Sequence, residues 1–172
     1  MAEKLRVVLY GVGAMGGRIA KLLLGKDGVE VVGAVDAAPE KAGRDLGEVL
    51  GLVKRMGVKV SDDPEAVFSE VRADVVVHAT TSFLKDVYPQ IAKVLEHGVN
   101  VVSTCEELVY PYVAEPELAR KLDKLAKDHG VTVLGTGINP GFLMDTLPIT
   151  LTAVCQKVKG IKVTRVMNAA TR

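Results

Sequence analysis

Short apolar runs alternate along this chain with longer stretches in which apolar residues recur every three or four positions, the rhythms of buried strands and of one-sided helices. Leu5 to Tyr10 (LRVVLY) predicts a strand, and the stretch that follows predicts a helix with Ile19, Leu22, Leu23 and Leu24 on its buried side. A second strand then ends in an acid, Asp36. Ala37 to Leu52 leans towards helix but is broken by Gly43 and Gly47, so a loop with short helical turns is expected. Gly57 to Val60 predicts a short third strand, and Asp63-Pro64-Glu65 reads as cap, first-turn proline and first-turn acid of a helix running to about Val71. Asp74 to Ala79 (DVVVHA) is a nearly continuous β-branched run, as in a central parallel strand covered on both faces.

The alternation continues with a helix to about His97 stopped by Gly98, a strand from Val99 to Ser103, and a helix from Glu115 to His129 closed by Gly130. Val131 to Leu134 supplies a sixth strand. The expected fold class is α/β, one doubly wound parallel sheet (a Rossmann fold) in the order 3-2-1-4-5-6. Beyond it, Gly135 to Gly141 forms a glycine-rich loop, Phe142 to about Cys155 predicts an apolar helix despite Pro148, and Ile161 to Met167 predicts a strand. Residues 1–155 are therefore expected to form the dinucleotide-binding domain. Residues 156–172 are expected to begin a second, substrate-binding and dimerising portion whose remainder is missing, because no capping helix or polar tail closes the fold.

The first turn carries the most specific pattern. Gly11, Gly13 and Gly16 have the G-x-G-x-x-G spacing between a strand and a helix, and Asp36 lies twenty residues past Gly16. Gly11 permits the sharp turn, Gly13 a close approach of backbone to a pyrophosphate, and Gly16 close packing of helix on sheet. Gly11, Gly13, Ala14, Met15 and Gly16 are thus the candidate phosphate cradle at a helix N-terminus, and Asp36 the candidate acceptor for ribose hydroxyls. An acid there repels a 2′-phosphate and favours NAD. Lys41 and Arg44 could reach such a phosphate if their loop folds back, so NADP stays possible as cofactor.

Charge and composition narrow the partners. Lys and Arg number 22 against 21 Asp and Glu, a balance that gives no field to attract nucleic acid or an anionic membrane. No apolar run reaches membrane-span length, and MAEKLRVV has no signal-peptide pattern. Cys105 and Cys155 are too few for a disulfide framework and lack metal-ligand spacing, so a cytoplasmic setting is expected and no metal site. Scarce Asn and Gln beside plentiful Lys and Glu lean towards a thermophilic source.

Ligands of open α/β sheets bind beyond the carboxyl ends of the strands. Thr80, Thr81 and Ser82 close the fourth strand, where hydroxyls and free N–H groups can line the cofactor, although Ser82 reads equally as a helix cap. Ser103-Thr104-Cys105-Glu106-Glu107 closes the fifth strand and sets two carboxylates where a nicotinamide would lie. Either could act as general acid or base or pair with an ammonium ion, or both could simply favour a following helix N-terminus. Asn139 can anchor a carboxamide or serve as a turn residue before Pro140. Cys105 reads as a packed thiol, His78 as a core histidine, and His97 and His129 as helix-closing residues.

Five segments, GVGAMGGRIAKLL, VDAAPEKAGRDLGEVLG, HATTSF, STCEELVYP and GTGINPGFLMDTLPITLT, together resemble the 2,4-diaminopentanoate dehydrogenases and native amine dehydrogenases. The amino-terminal half of that family is similar to the dihydrodipicolinate reductase cofactor domain. The resemblance implies NAD(P)-dependent, reversible oxidative deamination of a primary amine, with a small ketone and ammonia as partners in the reductive direction and a homo-oligomer as the full-length form. It also implies that the acid in Cys105-Glu106-Glu107 assists imine formation and binds the amine, Glu106 being favoured, and that Asn139 and Pro140 lie beside the nicotinamide. Family members carry a further catalytic portion, so this chain is expected to bind cofactor with little or no activity. Two alternatives remain: dihydrodipicolinate reductase itself, whose paired-histidine and lysine motif is replaced here by Gly137-Ile138-Asn139-Pro140-Gly141, and a non-catalytic NAD(H)-binding regulatory module.

Overall fold

The β-branched runs become six short parallel strands: β1 (Leu5–Tyr10), β2 (Val29–Val35), β3 (Val60–Ser61), β4 (Val75–His78), β5 (Asn100–Ser103) and β6 (Val133–Gly135). In the computed structural model they form one sheet in the order β3-β2-β1-β4-β5-β6, the expected doubly wound topology with its switch point between β1 and β4. The structure describes residues 3–139, 141–166 and 168.

Because successive strand side chains point to opposite faces, β1 feeds two cores at once. Val7 and Leu9 pack with Ala20, Leu46 and Val60 beneath α1 (Ala14–Leu24) and α2 (Leu46–Val49). Val8 packs on the opposite face with Leu84, Val87, Ile91 and Val94 of α4 (Leu84–Glu96). That second core also takes Val67 from α3 (Pro64–Glu70) and Leu122 and Ala126 from α6 (Pro116–Asp128), with α5 (Pro111–Ala114) preceding α6. Each fully buried Leu, Ile or Val contributes about 1.5–3 kcal/mol, so the face under α4 is strongly anchored.

Local signals hold where their chemistry is local. Asp63 accepts from the Glu65 N–H at 2.9 Å and starts α3 with Pro64 in its first turn. Gly98 and Gly130 end α4 and α6 with φ of +69° and +66°. Three expectations are corrected. Of the α1 residues assigned to the buried side, Leu22 is 70% exposed and Leu24 39% exposed. The buried line is Gly16 and Ala20, flanked by half-buried Ile19 and Leu23, because the helix lies so close to the sheet that small residues face it. Phe142 to Cys155 is not one helix: a π-helical turn at Phe142–Thr146 leads into α7 (Leu147–Leu151) and a 3₁₀ turn at Thr152–Val154, the proline sitting at the start of α7. The strand expected from Ile161 to Met167 is not formed: residues 161–166 have no regular structure and are mostly exposed, Met167 lies outside the described residues, and a strand needs a paired neighbour, of which none lies beside 161–166 among the described residues.

Candidate functional site

A crevice of about 300 Å³ opens at the carboxyl ends of β1, β2 and β4, lined by Tyr10, Gly11, Gly13, Asp36, Thr80 and Gln90 among others. Its floor is the glycine turn. Gly11 has φ +92°, and a Cβ on it would meet the Ala79 carbonyl oxygen at 2.4 Å. A Cβ on Gly16 would lie 1.9 Å from the Gly11 carbonyl oxygen, whereas one on Gly13 would meet nothing within 4 Å. Gly11 and Gly16 therefore close the turn against the protein, and Gly13 leaves open space towards the crevice. The first turn of α1, with exposed Ala14 and Met15, has no acidic residue and no side-chain cap, so its free N–H groups and positive dipole end are unopposed. This cradle fits a dinucleotide pyrophosphate.

Asp36, only 9% exposed, stands at the end of β2. Its Oδ2 accepts from the Val12 N–H at 2.7 Å and from Lys41 Nζ at 2.9 Å, and its Oδ1 from the Ala38 N–H at 3.0 Å. Burial by itself would raise its pKa, but the hydrogen bonds from Lys41, Ala38 and Val12, with the Lys41 charge, outweigh that and hold the carboxyl below its ordinary value. Lys41 has thus folded back onto the Asp36 carboxylate. Arg44 has not: it pairs with Glu48 at 2.9 Å.

Beneath the crevice, His78 is completely buried. Its Nδ1 lies 2.9 Å from Ser103 Oγ and its Nε2 2.8 Å from Gln90 Oε1, which also accepts from Thr80 Oγ1 at 2.9 Å. Burial depresses the imidazole's pKa, so the ring is neutral at pH 7. Thr80 therefore lines the crevice with its hydroxyl held to Gln90, while Thr81 and Ser82 are half-buried in the loop that follows.

Ser82 does not cap α4. The α4 cap position is Phe83, without a side-chain cap, and the orphan Leu84 N–H donates instead to Glu107 Oε2 at 2.7 Å. In return the Glu107 N–H and the Cys105 thiol both donate to the Ser82 carbonyl, at 3.2 Å each. These bonds stitch the β4 loop to the β5 loop and commit Glu107 to the scaffold. Cys105 is buried, which pushes its thiol pKa up and removes it as a nucleophile. Glu106, next in the chain, is exposed and lines a second hollow of about 360 Å³ with Asn139, Tyr110 and Asp145. Asp145 is held by the Gly141 N–H at 3.0 Å, across the start of the π-helical turn. Pro140 lies outside the described residues.

The structure thus gathers Gly11, Gly13, Asp36 and Thr80 in one crevice and Glu106, Glu107 and Asn139 in a neighbouring hollow. It adds residues that no motif singles out: Gln90 and Asp62 in the crevice and Asp145 in the hollow. For Gln90 a signal existed, a polar residue three positions after Val87 on the apolar stripe Val87, Ile91, Val94. Asp62 and Asp145 carry no such mark.

Comparison with known proteins agrees with this fold. The family model described as dihydrodipicolinate reductase, N-terminus, matches residues 5–110. The 2,4-diaminopentanoate dehydrogenase of Acetoanaerobium sticklandii is 43% identical over 95% of this chain and 46% of its own length. The solved amine dehydrogenase of Mycobacterium smegmatis is also 43% identical, with a TM-score of 0.81 over 87% of this chain and 44% of that one. GenD2 from gentamicin A biosynthesis, solved in complex with NAD, is 27% identical with a TM-score of 0.61, over 78% of this chain and 35% of that one. The chain spans about half the length of the relatives it matches. It belongs to the family described as dihydrodipicolinate reductase, N-terminus, and is related to the 2,4-diaminopentanoate and amine dehydrogenases.

Proposed function

We propose that this chain is the cofactor-binding portion of an NAD(P)-dependent oxidoreductase acting on a primary amine, by reversible oxidative deamination of a substrate like 2,4-diaminopentanoate. The observation that carries the reading is the division of roles between two adjacent acids: Glu107 is bound into the α4 terminus, and Glu106 is left exposed beside Asn139. A free carboxylate at that place can hold an ammonium group by charge pairing and move a proton as amine and carbonyl interconvert. The nicotinamide, when bound, supplies or accepts the hydride. On this chain, Gly13 and the α1 N-terminus would hold the pyrophosphate, Asp36 the ribose hydroxyls, and Asn139 the nicotinamide side. NAD is the favoured cofactor because Asp36 remains an acceptor, and NADP becomes tolerable because Lys41 already neutralises it.

The reading of the chain as dihydrodipicolinate reductase rests on the family match, which ends at residue 110. The segment expected to separate the two activities, Gly137 to Gly141, lies beyond that point and holds no His or Lys.

Calorimetric titration with NAD and with NADP tests the cofactor half of the proposal, and ammonia-dependent NAD(P)H oxidation with a small 2-amino-4-oxo acid tests the chemistry. Micromolar binding of either dinucleotide is expected. Turnover that disappears in Glu106→Gln would support the amine dehydrogenase reading; turnover unchanged in that variant would refute the role of Glu106. If neither dinucleotide binds, the proposal falls.

A further inference from the structure

The hydrogen bonds below the crevice have a direction. A backbone N–H can only donate, and the Cys105 N–H gives its proton to Ser103 Oγ at 3.1 Å. With one lone pair engaged in that way, the Ser103 hydroxyl has its proton available for His78 Nδ1, 2.9 Å away. A neutral ring that accepts at Nδ1 carries its hydrogen on Nε2, which then points to Gln90 Oε1 at 2.8 Å, with Thr80 Oγ1 3.2 Å from the same nitrogen. Thr80 Oγ1 donates to the same oxygen at 2.9 Å. With Oε1 occupied twice, the orientation of the Gln90 amide is fixed, and its NH₂ group is the end left to face away from His78. Gln90 lines the crevice together with Asp62, an exposed carboxylate just past β3.

Resting on the dinucleotide reading above, we propose that Gln90 and Asp62 read the base of the cofactor, Gln90 donating to N1 of a 6-aminopurine and Asp62 accepting from its N6 amino group. A donor beside an acceptor complements adenine. It opposes hypoxanthine, in which N1 bears a hydrogen and position 6 is an oxygen, so both contacts become like-to-like. His78 and Ser103 are positioning residues: they touch no ligand and set which end of the Gln90 amide faces the crevice.

The test compares NAD with nicotinamide hypoxanthine dinucleotide by calorimetric titration of the chain. Roughly tenfold or more preference for NAD is expected, since a site built on paired polar groups rejects a mismatched analogue strongly. Gln90→Glu keeps an oxygen for His78 and Thr80 and replaces only the NH₂ on the side away from His78, so it should melt near the parent while its preference falls to about threefold or inverts. Added charge alone would weaken both dinucleotides equally and leave the ratio unmoved. Asp62→Asn, at an exposed position where folding is not at stake, should also bring the ratio close to one. Equal affinities in the parent, or a parental preference that persists in both variants, overturn the proposal. Failure of both dinucleotides to bind the parent overturns the cofactor reading instead.

Discussion

The two hollows at the carboxyl edge of the sheet are built differently. In the crevice over β1, β2 and β4, the two less exposed polar side chains are fixed by the protein: Asp36 by Val12, Ala38 and Lys41, and Gln90 by His78 and Thr80. In the hollow beyond β5, Glu106 is exposed, and its surroundings include large apolar side chains open to solvent: Tyr110 at 67%, Val113 at 80% and Met144 at 36% exposure. A preorganised site holds one ligand geometry at little ordering cost, whereas an open apolar rim takes its shape from whatever covers it. Under the proposed function, the contrast separates a cofactor end whose geometry this chain sets by itself from a substrate end to which it contributes a charge and a floor.

The largest effect should come from closing the glycine turn. Gly16→Ala drives a Cβ into the Gly11 carbonyl and should cost about 3 kcal/mol, lowering the melting temperature by roughly 6–12 °C and abolishing dinucleotide binding. Gly13→Ala, whose Cβ meets nothing, should melt like the parent and lose only dinucleotide affinity. Thermal melts with and without NAD distinguish the two, and equal destabilisation by both would erase the distinction between a glycine facing protein and one facing ligand.

Next come the two glutamates. Glu107→Ala removes the acceptor of the Leu84 N–H and should cost about 1 kcal/mol, near 2–4 °C, whereas Glu106→Ala should stay within about 0.5 kcal/mol of the parent. Chemical denaturation of both variants measures the difference; a larger loss from Glu106→Ala would reverse their assigned roles.

The smallest effect is a slope with pH. Burial holds the His78 pKa below its ordinary 6.5, so below that pH the unfolded chain binds a proton that the folded chain refuses. The contribution is fully present above about pH 6.5 and is lost as pH falls towards the folded value. Melts between pH 7.5 and 5 should show the parent losing stability relative to His78→Asn as pH drops. Parallel curves would mean that His78 titrates alike in both states.

Much of this was readable in the chain because its causes are local or periodic. β1 begins and ends where its apolar run does, Asp63 caps the helix it precedes, and Gly11 and Gly16 stand where the turn leaves no room for a Cβ. The parts that were not readable depend on partners far away in sequence. Ser82 is the local cap candidate for α4, yet a carboxylate 23 residues further on takes the Leu84 N–H. Likewise the periodicity of α1 marks four apolar residues, but only the close approach of helix to sheet decides that Gly16 and Ala20 face inward and Leu22 does not.

The sequence by itself determined the alternation of strand and helix and the glycine turn, since apolar period, glycine spacing and a terminal acid each act over a few residues. Only the tertiary structure decided which of Glu106 and Glu107 is free, that Lys41 sits on Asp36, and that His78 aims Gln90 at the crevice. Each of those outcomes depends on a hydrogen bond or ion pair between groups set on different elements or loops, and such a pairing exists only once the sheet has brought them together.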